Sequence, residues 1–216
     1  MFGQSQWPDD IPMKKRIVIF GNGRLDKSFL RDVKPDDYII GVDRAAYWLI
    51  SRGVVPHVAL GDFDSVTKRE FHIIQKEVKK VMQYPSTKKW TDMDLAMKHA
   101  ADLPVKEVII FGGTGTRMDH TLVTLNLLTH HVLIDTSNRI RVADKGRIRL
   151  KPGDYRYISI VPMTNTITLQ LEQFKYNLPK TIIRRGSTRT VSNEFIGKPG
   201  IITLYAGKAW VIESRD

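Results

Sequence analysis

For about its first two thirds the sequence alternates short β-rich runs with stretches of helical spacing. That alternation narrows the choice of folds more than any other feature. RIVIF (16–20) runs into Gly21-Asn22-Gly23, a turn signal. YIIGVD (38–43) precedes AAYWLISRG (45–53), which has helical spacing and stops at Gly53 as a C-cap. HVALGDFDS (57–65) supplies a third strand, and residues 67–81 form an amphipathic helix with Phe71, Ile74 and Val78 on one side. A helix over 91–103 opens at Thr91, with Asp94 three residues on as an acidic variant of the capping box. EVIIFGG (107–113), a helix over 118–131 and VLIDT (132–136) close the series. The spacing predicts a mostly parallel, Rossmann-like α/β sheet with flanking helices.

From about residue 145 the texture changes. YRYISIVPM, TITLQL, TIIRRGS, IITLYAG and AWVIES are short, alternating, rich in β-branched residues and punctuated by Gly, Pro and Asn. That pattern predicts an all-β region, sandwich-like or barrel-like, and we take the sandwich. With 216 residues the chain suits two modest domains. We expect an α/β domain over 1–145, with 1–13 as a lead-in, and a β-sandwich over 146–216.

Thirty-four Lys and Arg against 23 Asp and Glu leave a formal charge of +11, which points to a polyanionic partner. The basic residues are scattered, with no zinc-finger spacing and no aromatic-basic RNA signature, so a nucleotide with several phosphates serves as well as nucleic acid. The absence of cysteine excludes disulfides, thiolate catalysis and cysteine-ligated zinc, and fits a cytoplasmic protein. No apolar run approaches the ~18 residues of a membrane span, and the N-terminus has no secretory h-region.

Ligands of open α/β sheets bind beyond the carboxyl ends of the strands, and polar clusters fall there: Gly21-Asn22-Gly23, Asp43, GDFDS (61–65) and GGTGTRMDH (112–120). In GDFDS, Phe63 turns toward packing while Asp62 and Asp64 share a side. The pair suits a Mg²⁺ site, an aspartyl nucleophile with its acid partner, or a solvated turn that caps the next helix. Gly61 permits a close approach or an unusual dihedral. FGGTGTRMDH is a strand, a glycine-rich loop and a helix, an arrangement that cradles phosphate with backbone N–H groups. It lacks the Gly-Lys-Ser/Thr of a Walker loop. Arg117 can bind phosphate in a bidentate manner; Asp119 binds a cation or caps the helix, and His120 reads as a packing residue. In PSTKKWTDMDLA (85–96), Asp92 suits a helix N-terminus and Lys88 and Lys89 suit solvent or a triphosphate. In STRTVSNEFIGKPG (187–200), Ser192, Asn193 and Glu194 precede an aromatic residue in what reads as a hairpin loop.

Taken in order, GVDRAAYWLISRGVVPHVALGDFDSV, KKWTDMDLAMKHA, FGGTGTRMDHTLVTLNLL and SNEF resemble the thiamine pyrophosphokinase family over nearly the whole chain beyond the lead-in. The resemblance implies an ATP-binding α/β domain and a thiamine-binding β-sandwich. It implies a homodimer with active sites at the interface and Mg²⁺-dependent transfer of pyrophosphate from ATP to the thiamine hydroxyl, releasing AMP. By motif position it implies metal at Asp62, Asp64 and Asp92, with Arg117 and Asp119 as further catalytic residues. It places Asp43, Lys88, Thr91, Gly112, Gly113 and Gly115 at ATP and its phosphates, and Ser192 and Asn193 at thiamine. Two places depart from the pattern: Asp43-Arg44-Ala45-Ala46 replaces a D-G-G-like turn, and Lys89 stands where the family usually has an acidic residue.

The expected chemistry is attack by a primary alcohol on the β-phosphorus, with Asp64 or Asp119 accepting the proton and Trp210, Tyr205 or Phe195 offering an aromatic face to the thiazolium. A rival, a haloacid-dehalogenase-like phosphatase, would use Asp62 as a covalent nucleophile, although its loop normally follows the first strand. A basic nucleic-acid-binding module is a further rival, suggested by charge alone.

Overall fold

The computed structural model describes residues 16–105 and 107–216; the expected lead-in over 1–13 lies outside them. The described chain divides into two compact units. The first joins residues 16–19 to Ser28–Val108, and the second joins Phe20–Lys27 to Ile109–Asp216. The boundary expected at 145/146 falls inside the second unit.

In the first unit the strand order is β1 (Arg16–Phe20), β2 (Tyr38–Val42), β3 (Val58–Gly61), β4 (Lys80–Gln83). The β2–β3 and β3–β4 pairs are parallel. β1, β2 and β3 are buried at every position, as strands covered on both faces must be, so they read as unbroken apolar runs. The helices are α1 (Arg44–Ile50), α2 (Lys68–Glu77) and α3 (Asp92–Ala101), with a 3₁₀ turn over Lys27–Asp32. Phe63, Ile74 and Val78 pack with Ala46 and Ala59 in one cluster; burying each large side chain contributes roughly 1.5–3 kcal/mol.

β4 was not expected. Residues 80 and 81 fell within the helix expected over 67–81, but α2 ends at Glu77, and Val78 is already extended with φ −95° and ψ 122°. Val81 then packs on the core cluster from a strand instead of a helix. The helix starts are well signalled. Thr67 and Glu70 form a complete capping box at α2. At α3 the box is half made: Thr91 Oγ1 accepts from the Asp94 N–H at 3.2 Å, while the Asp94 carboxylate turns to Lys98 at 3.1 Å.

The entry of the chain into this unit is fixed by a buried ion pair. Arg16 Nε donates to Asp37 Oδ1 at 2.8 Å and Nη2 to Oδ2 at 2.6 Å. Burial would raise the Asp37 carboxyl, but the Arg16 hydrogen bonds hold it below its ordinary value. Removing one partner of such a pair costs about 3–5 kcal/mol.

In the second unit β5 (Glu107–Phe111) leads into α4 (Met118–Leu127), and β6 (His131–Ile134) follows. β7 (Asn138–Ala143) pairs antiparallel with β6, then with β14 (Ala209–Ser214), which pairs in turn with β9 (Tyr157–Pro162); β12 (Asn193–Glu194) lies at the edge beside β9. A separate antiparallel sheet has the order β11 (Leu178–Arg184), β10 (Thr166–Glu172), β13 (Gly200–Ala206), β8 (Gly146–Leu150). Inward residues of both sheets, among them Ile158, Ile160, Val211, Ile167, Leu169 and Ile202, share one core. The β-rich tail therefore supplies four strands to the separate sheet and three to the run that contains β6 and β7.

His99 on α3 is only 9% exposed, and its pKa is lowered to about 4, first by burial and then by Lys80, with Asp102 opposing. The unfolded chain takes up this proton near pH 6.5, well before the folded one does. His99 thus stabilises the fold fully above that pH, and its contribution is lost as pH falls from 6.5 toward 4. His131 is shifted in the same direction. We expect His99→Gln to flatten the fall in Tm across this window, removing on the order of 2–3 kcal/mol of acid sensitivity. Thermal melts from pH 8 to 4 check this; parallel wild-type and variant curves would contradict it.

Candidate active site

In the first unit three carboxylates converge at the carboxyl ends of β2 and β3 and the start of α3. Asp43, Asp62 and Asp92 each bring an oxygen to within 4.8 Å of the other two. Asp43 is the best fixed. It ends β2 and starts α1 at φ 48° and ψ −125°, a conformation that costs a non-glycine residue about 1–3 kcal/mol. Small neighbours make the turn feasible: a Cβ at Gly41 would lie 2.7 Å from Ala46 Cα. Gly61, at φ +151°, is the necessary complement, because a Cβ there would fall on Asp43 Oδ1. The same oxygen accepts the Phe63 N–H at 3.1 Å. Phe63 also has positive φ, 59°, and its ring is buried against Phe71.

Lys88 reaches into this group. Its ammonium lies 2.7 Å from Asp62 Oδ2 and 3.0 Å from Asp92 Oδ1, and its side chain is nearly buried. One positive charge faces three carboxylates, so the site cannot be neutral with all three ionised. At ~4 Å like charges repel by about 4 kcal/mol at an effective dielectric of 20. The distribution of shifts follows from position. For Asp62 burial pushes upward, but the Lys88 hydrogen bond prevails and the carboxyl is lowered. For Asp92 burial prevails and the carboxyl is raised in spite of Lys88. Asp43, the most buried and without a cation of its own, is raised to about 7, by burial first and then by the charge of Asp92.

The set fits a hard divalent cation. All its donors are carboxylate oxygens, which such ions prefer. Asp92 Oδ1 is buried and, although in contact with Lys88, makes no well-directed hydrogen bond.

Asp64, expected as a ligand, lies outside the trio, and Asp43 takes its place. The positive φ of Phe63 turns the chain between the two aspartates, so the Asp64 N–H donates to Asp62 Oδ1 at 3.2 Å while Asp64 itself is exposed. Thr91 spends its hydroxyl as a helix cap. Lys88, expected at phosphate, is held by the carboxylates. The signal for Asp43 was in the sequence: small residues two places before it and two and three after it, at a strand-to-helix turn.

In the second unit the glycine-rich loop follows β5. Gly112 has φ +65°, and Gly113 packs against Leu133 and Thr124. The Gly115 N–H points to Thr121 Oγ1 at 3.3 Å. Arg117 and Asp119 pair at 2.6 Å, both exposed, which lowers the Asp119 carboxyl; His120 is exposed as well. Arg117 sits at the N-cap of α4 without a side-chain capping bond.

Ser192 and Asn193 differ sharply. Ser192 is exposed with φ 59°, and its N–H is held by Ser159 Oγ at 3.0 Å. Asn193 is buried: Oδ1 accepts from the Tyr176 and Glu194 N–H groups, and Nδ2 donates to the Tyr176 carbonyl. It shapes the loop from within. The expected aromatic faces are likewise engaged. Trp210 Nε1 donates to the Leu125 carbonyl at 3.1 Å, Tyr205 OH donates to Gln170 at 2.8 Å, and Phe195 packs on Phe174. Tyr176, 59% exposed and clamped by Asn193, is an aromatic that periodicity had not singled out.

Carboxylates gathered at parallel strand ends, with a glycine-rich strand-to-helix loop elsewhere in the chain, define an α/β protein with a site fit for a hard cation. Comparison with known proteins narrows this. Residues 29–143 match the thiamin pyrophosphokinase catalytic domain, and residues 145–208 match the thiamin pyrophosphokinase vitamin B1 binding domain. Thiamine pyrophosphokinase of Bacillus subtilis (strain 168) is 37% identical over 186 residues, covering 82% of this chain and 87% of that protein. A crystal structure of thiamine pyrophosphokinase from Bacillus subtilis superposes with a TM-score of 0.86 at 34% identity, covering 94% of this chain and 100% of that one. One from Geobacillus thermodenitrificans gives 0.86 at 30% identity, covering 93% and 98%. The chain belongs to the thiamine pyrophosphokinase family.

Lys88 is the sole cation in ion-pair contact with Asp62 and Asp92 among the described residues. We expect Lys88→Met to lower the Tm of metal-free protein by several degrees, and millimolar Mg²⁺ to recover more of that loss than it adds to wild type. Melts with EDTA and with Mg²⁺ check this; an unchanged metal-free Tm would remove Lys88 from its charge-compensating place.

Proposed function

We propose that this chain transfers an intact pyrophosphoryl group from ATP to the hydroxyl of thiamine, giving thiamine diphosphate and AMP, with Mg²⁺ as the divalent ion. The observation that carries the reading is the Asp43–Asp62–Asp92 trio in a chain that matches both domains of the thiamine pyrophosphokinase family. We assign residues up to about 145 to a Rossmann-like catalytic domain and those beyond to a thiamine-binding sandwich, in cytoplasmic protein. Nothing in the comparisons favours a phosphatase with an aspartyl nucleophile.

The chemical obstacle is charge: a triphosphate repels the lone pair of an incoming alcohol. Mg²⁺ held by Asp43, Asp62 and Asp92 would supply positive charge against the phosphate oxygens and the leaving AMP. Lys88, released from the carboxylates once they have another cation, is of the right charge and length for a phosphate oxygen. Arg117 and the Gly112, Gly113 and Gly115 backbone are our assignment for the remaining phosphate contacts. Asp64 is exposed and outside the trio, so it is the better acceptor of the alcohol proton than Asp119, which is bound to Arg117. Ser192 is our thiamine contact; Asn193 serves thiamine by fixing the loop.

The direct test is one incubation with ATP, Mg²⁺ and thiamine, assayed for AMP and thiamine diphosphate with and without EDTA. A metal acting on phosphate supplies several kcal/mol. Asp62→Asn should therefore cut turnover at least about hundredfold while leaving Tm within a few degrees. Near-normal turnover by a folded Asp62→Asn protein would remove the metal assignment.

We also propose a homodimer. Met118, Leu122 and Val123 of α4 are 62%, 53% and 44% exposed, and one helix carrying three exposed apolar side chains calls for a cover. Leu122→Glu should shift the protein from dimer to monomer in sedimentation velocity; a wild-type monomer would refute the dimer.

A further inference from the structure

The separate sheet of the second unit ends at β8, which pairs with β13 on one side and is the last strand in the order. The other side of an edge strand presents N–H and C=O groups ready to pair with another chain. The sequence through it, Lys145-Gly146-Arg147-Ile148-Arg149-Leu150-Lys151, alternates without exception. Leu150 belongs to the core between the sheets, and Ile148 packs against it. Arg147 and Arg149 therefore stand on the opposite, outer face, and both are exposed. Lys145 and Lys151, also exposed, continue the series at the two ends. A rise of about 3.4 Å per residue sets successive cations about 7 Å apart, in a row on the order of 20 Å long.

The fold leaves this row unneutralised. Among the described residues no ion pair involves Lys145, Arg147, Arg149 or Lys151. Behind the row, Arg147 faces Thr203 and Arg149 faces Ile201 on β13, neither of them charged. Glu172 comes only one strand further in, across Ile201 on β10. At the near end Asp144 is engaged: it accepts the Lys145 N–H at 2.8 Å and lies 3.3 Å from the Lys208 ammonium.

Two features select an occupant. The charge calls for an anion, and the backbone edge calls for a chain able to hydrogen-bond along it. Nucleic acid meets the first demand alone, and the row holds no aromatic ring on which a base could stack. An anionic lipid surface likewise offers nothing to the peptide groups. A second copy of this edge would bring cations against cations, the usual way in which edge strands are kept from pairing with each other. An extended peptide with carboxylates at alternate positions meets both demands. Strand pairing sets its side chains about 4.5–5.5 Å from those opposite, where unlike charges attract. Its intervening residues would cover Ile148, which the core leaves half-buried.

We propose that β8 is a docking edge for an acidic, extended segment of another protein. That segment joins the separate sheet as a further strand, with its carboxylates against Lys145, Arg147, Arg149 and Lys151. None of these four residues is assigned above to ATP, metal or thiamine.

The test uses a fluorescein-labelled peptide of sequence Glu-Thr-Glu-Val-Glu-Thr-Glu, capped at both ends, and reads its anisotropy against full-length protein at low salt. A permuted peptide, Glu-Glu-Glu-Glu-Thr-Val-Thr, has the same charge without the alternation. Two further versions of the alternating peptide are N-methylated at odd or at even positions, so that one of them loses the donors that would face β8. We expect wild type to bind the alternating peptide at least about tenfold more tightly than the permuted one, and one methylated version to lose binding. Arg147→Glu/Arg149→Glu should weaken binding at least about tenfold, since two attractive cross-strand pairs become repulsive. Arg147→Thr/Arg149→Thr, which keeps strand-forming residues, should fall between that variant and wild type. Tm within a few degrees of wild type shows that each variant is folded. No binding by wild type, or unchanged binding by a folded charge-reversed variant, would overturn the proposal. Equal binding of the permuted peptide, or full binding of both methylated versions, would overturn it too, by showing attraction without strand pairing. So would equal or tighter binding of oligouridylate or of phosphatidylserine vesicles, which would make the row a general polyanion surface.

Discussion

The repulsion among Asp43, Asp62 and Asp92 is the constraint around which the first unit is arranged. Three carboxylates within 4.8 Å of one another do not stay together unaided. The chain holds them with covalent geometry and one cation. Asp43 is locked by a strained turn between a fully buried strand and a helix that packs against Gly41. Gly61 has no side chain because Asp43 Oδ1 occupies the space. Lys88 neutralises what a single ammonium can, and burial first, with the remaining negative charge of Asp92 second, raises the Asp43 pKa to about 7. An arrangement that stores this much unfavourable electrostatics suits the divalent cation proposed for it, and the strain at Asp43 and Phe63 is of the kind that gathers at functional positions.

The second unit solves a different problem with little charge. Its loops are fixed by backbone bonds and by side chains that spend themselves internally: Asp135 on the 135–138 turn, Asn193 on the Tyr176 backbone, Thr121 on Gly115 and the Arg117 carbonyl. Each is a polar residue in a motif-rich stretch, and each proves to be support. The exposed neighbours of these residues, Ser192 beside Asn193 and Arg117, paired with Asp119, before Thr121, are the ones proposed above to meet ligands. Rigid support beneath a few free groups is what precise positioning of a flexible phosphate chain requires.

The alternation of strand and helix in the first unit was legible because buried parallel strands are continuous apolar runs bounded by glycine and polar residues. Asp62 and Asp92 were legible as acidic residues at a strand end and a helix start. Asp43 was seen at the right strand end but assigned to phosphate, since its membership of the trio depends on a positive φ that no periodicity reports. Asp64 was read as a further metal ligand; with the positive φ at Phe63 it is exposed and lies outside the trio. β4 was hidden because Lys79, Lys80, Val81 and Met82 continue the helical spacing of α2, and only pairing with β3 decides otherwise. In the β-rich tail β9, β10, β11, β13 and β14 were recognised, while β8 and the two-residue β12 were not. The tail's division between two sheets was not recognised either, because which strand pairs with β7 is a long-range matter that local alternation does not encode. Asn193 and Asp135 show the same limit for side chains: spacing says where a polar residue falls, not whether its hydrogen bonds are already taken.

The overall charge and the local charge of the chain have opposite signs, and the opposition has a mechanistic consequence. A formal +11 draws polyanions toward the surface at long range. Close to the trio the field reverses, because Lys88 offsets only part of three carboxylates. A bare triphosphate is therefore attracted to the protein and repelled from the trio. The same trio attracts a divalent cation, and a cation–triphosphate complex satisfies both fields at once. On the proposed reading, selectivity for the metal complex over the free nucleotide would need no dedicated recognition element. It would follow from placing a small, partly buried cluster of one sign inside a protein of the other, and from Lys88 being a cation strong enough to hold the cluster together but too weak to neutralise it.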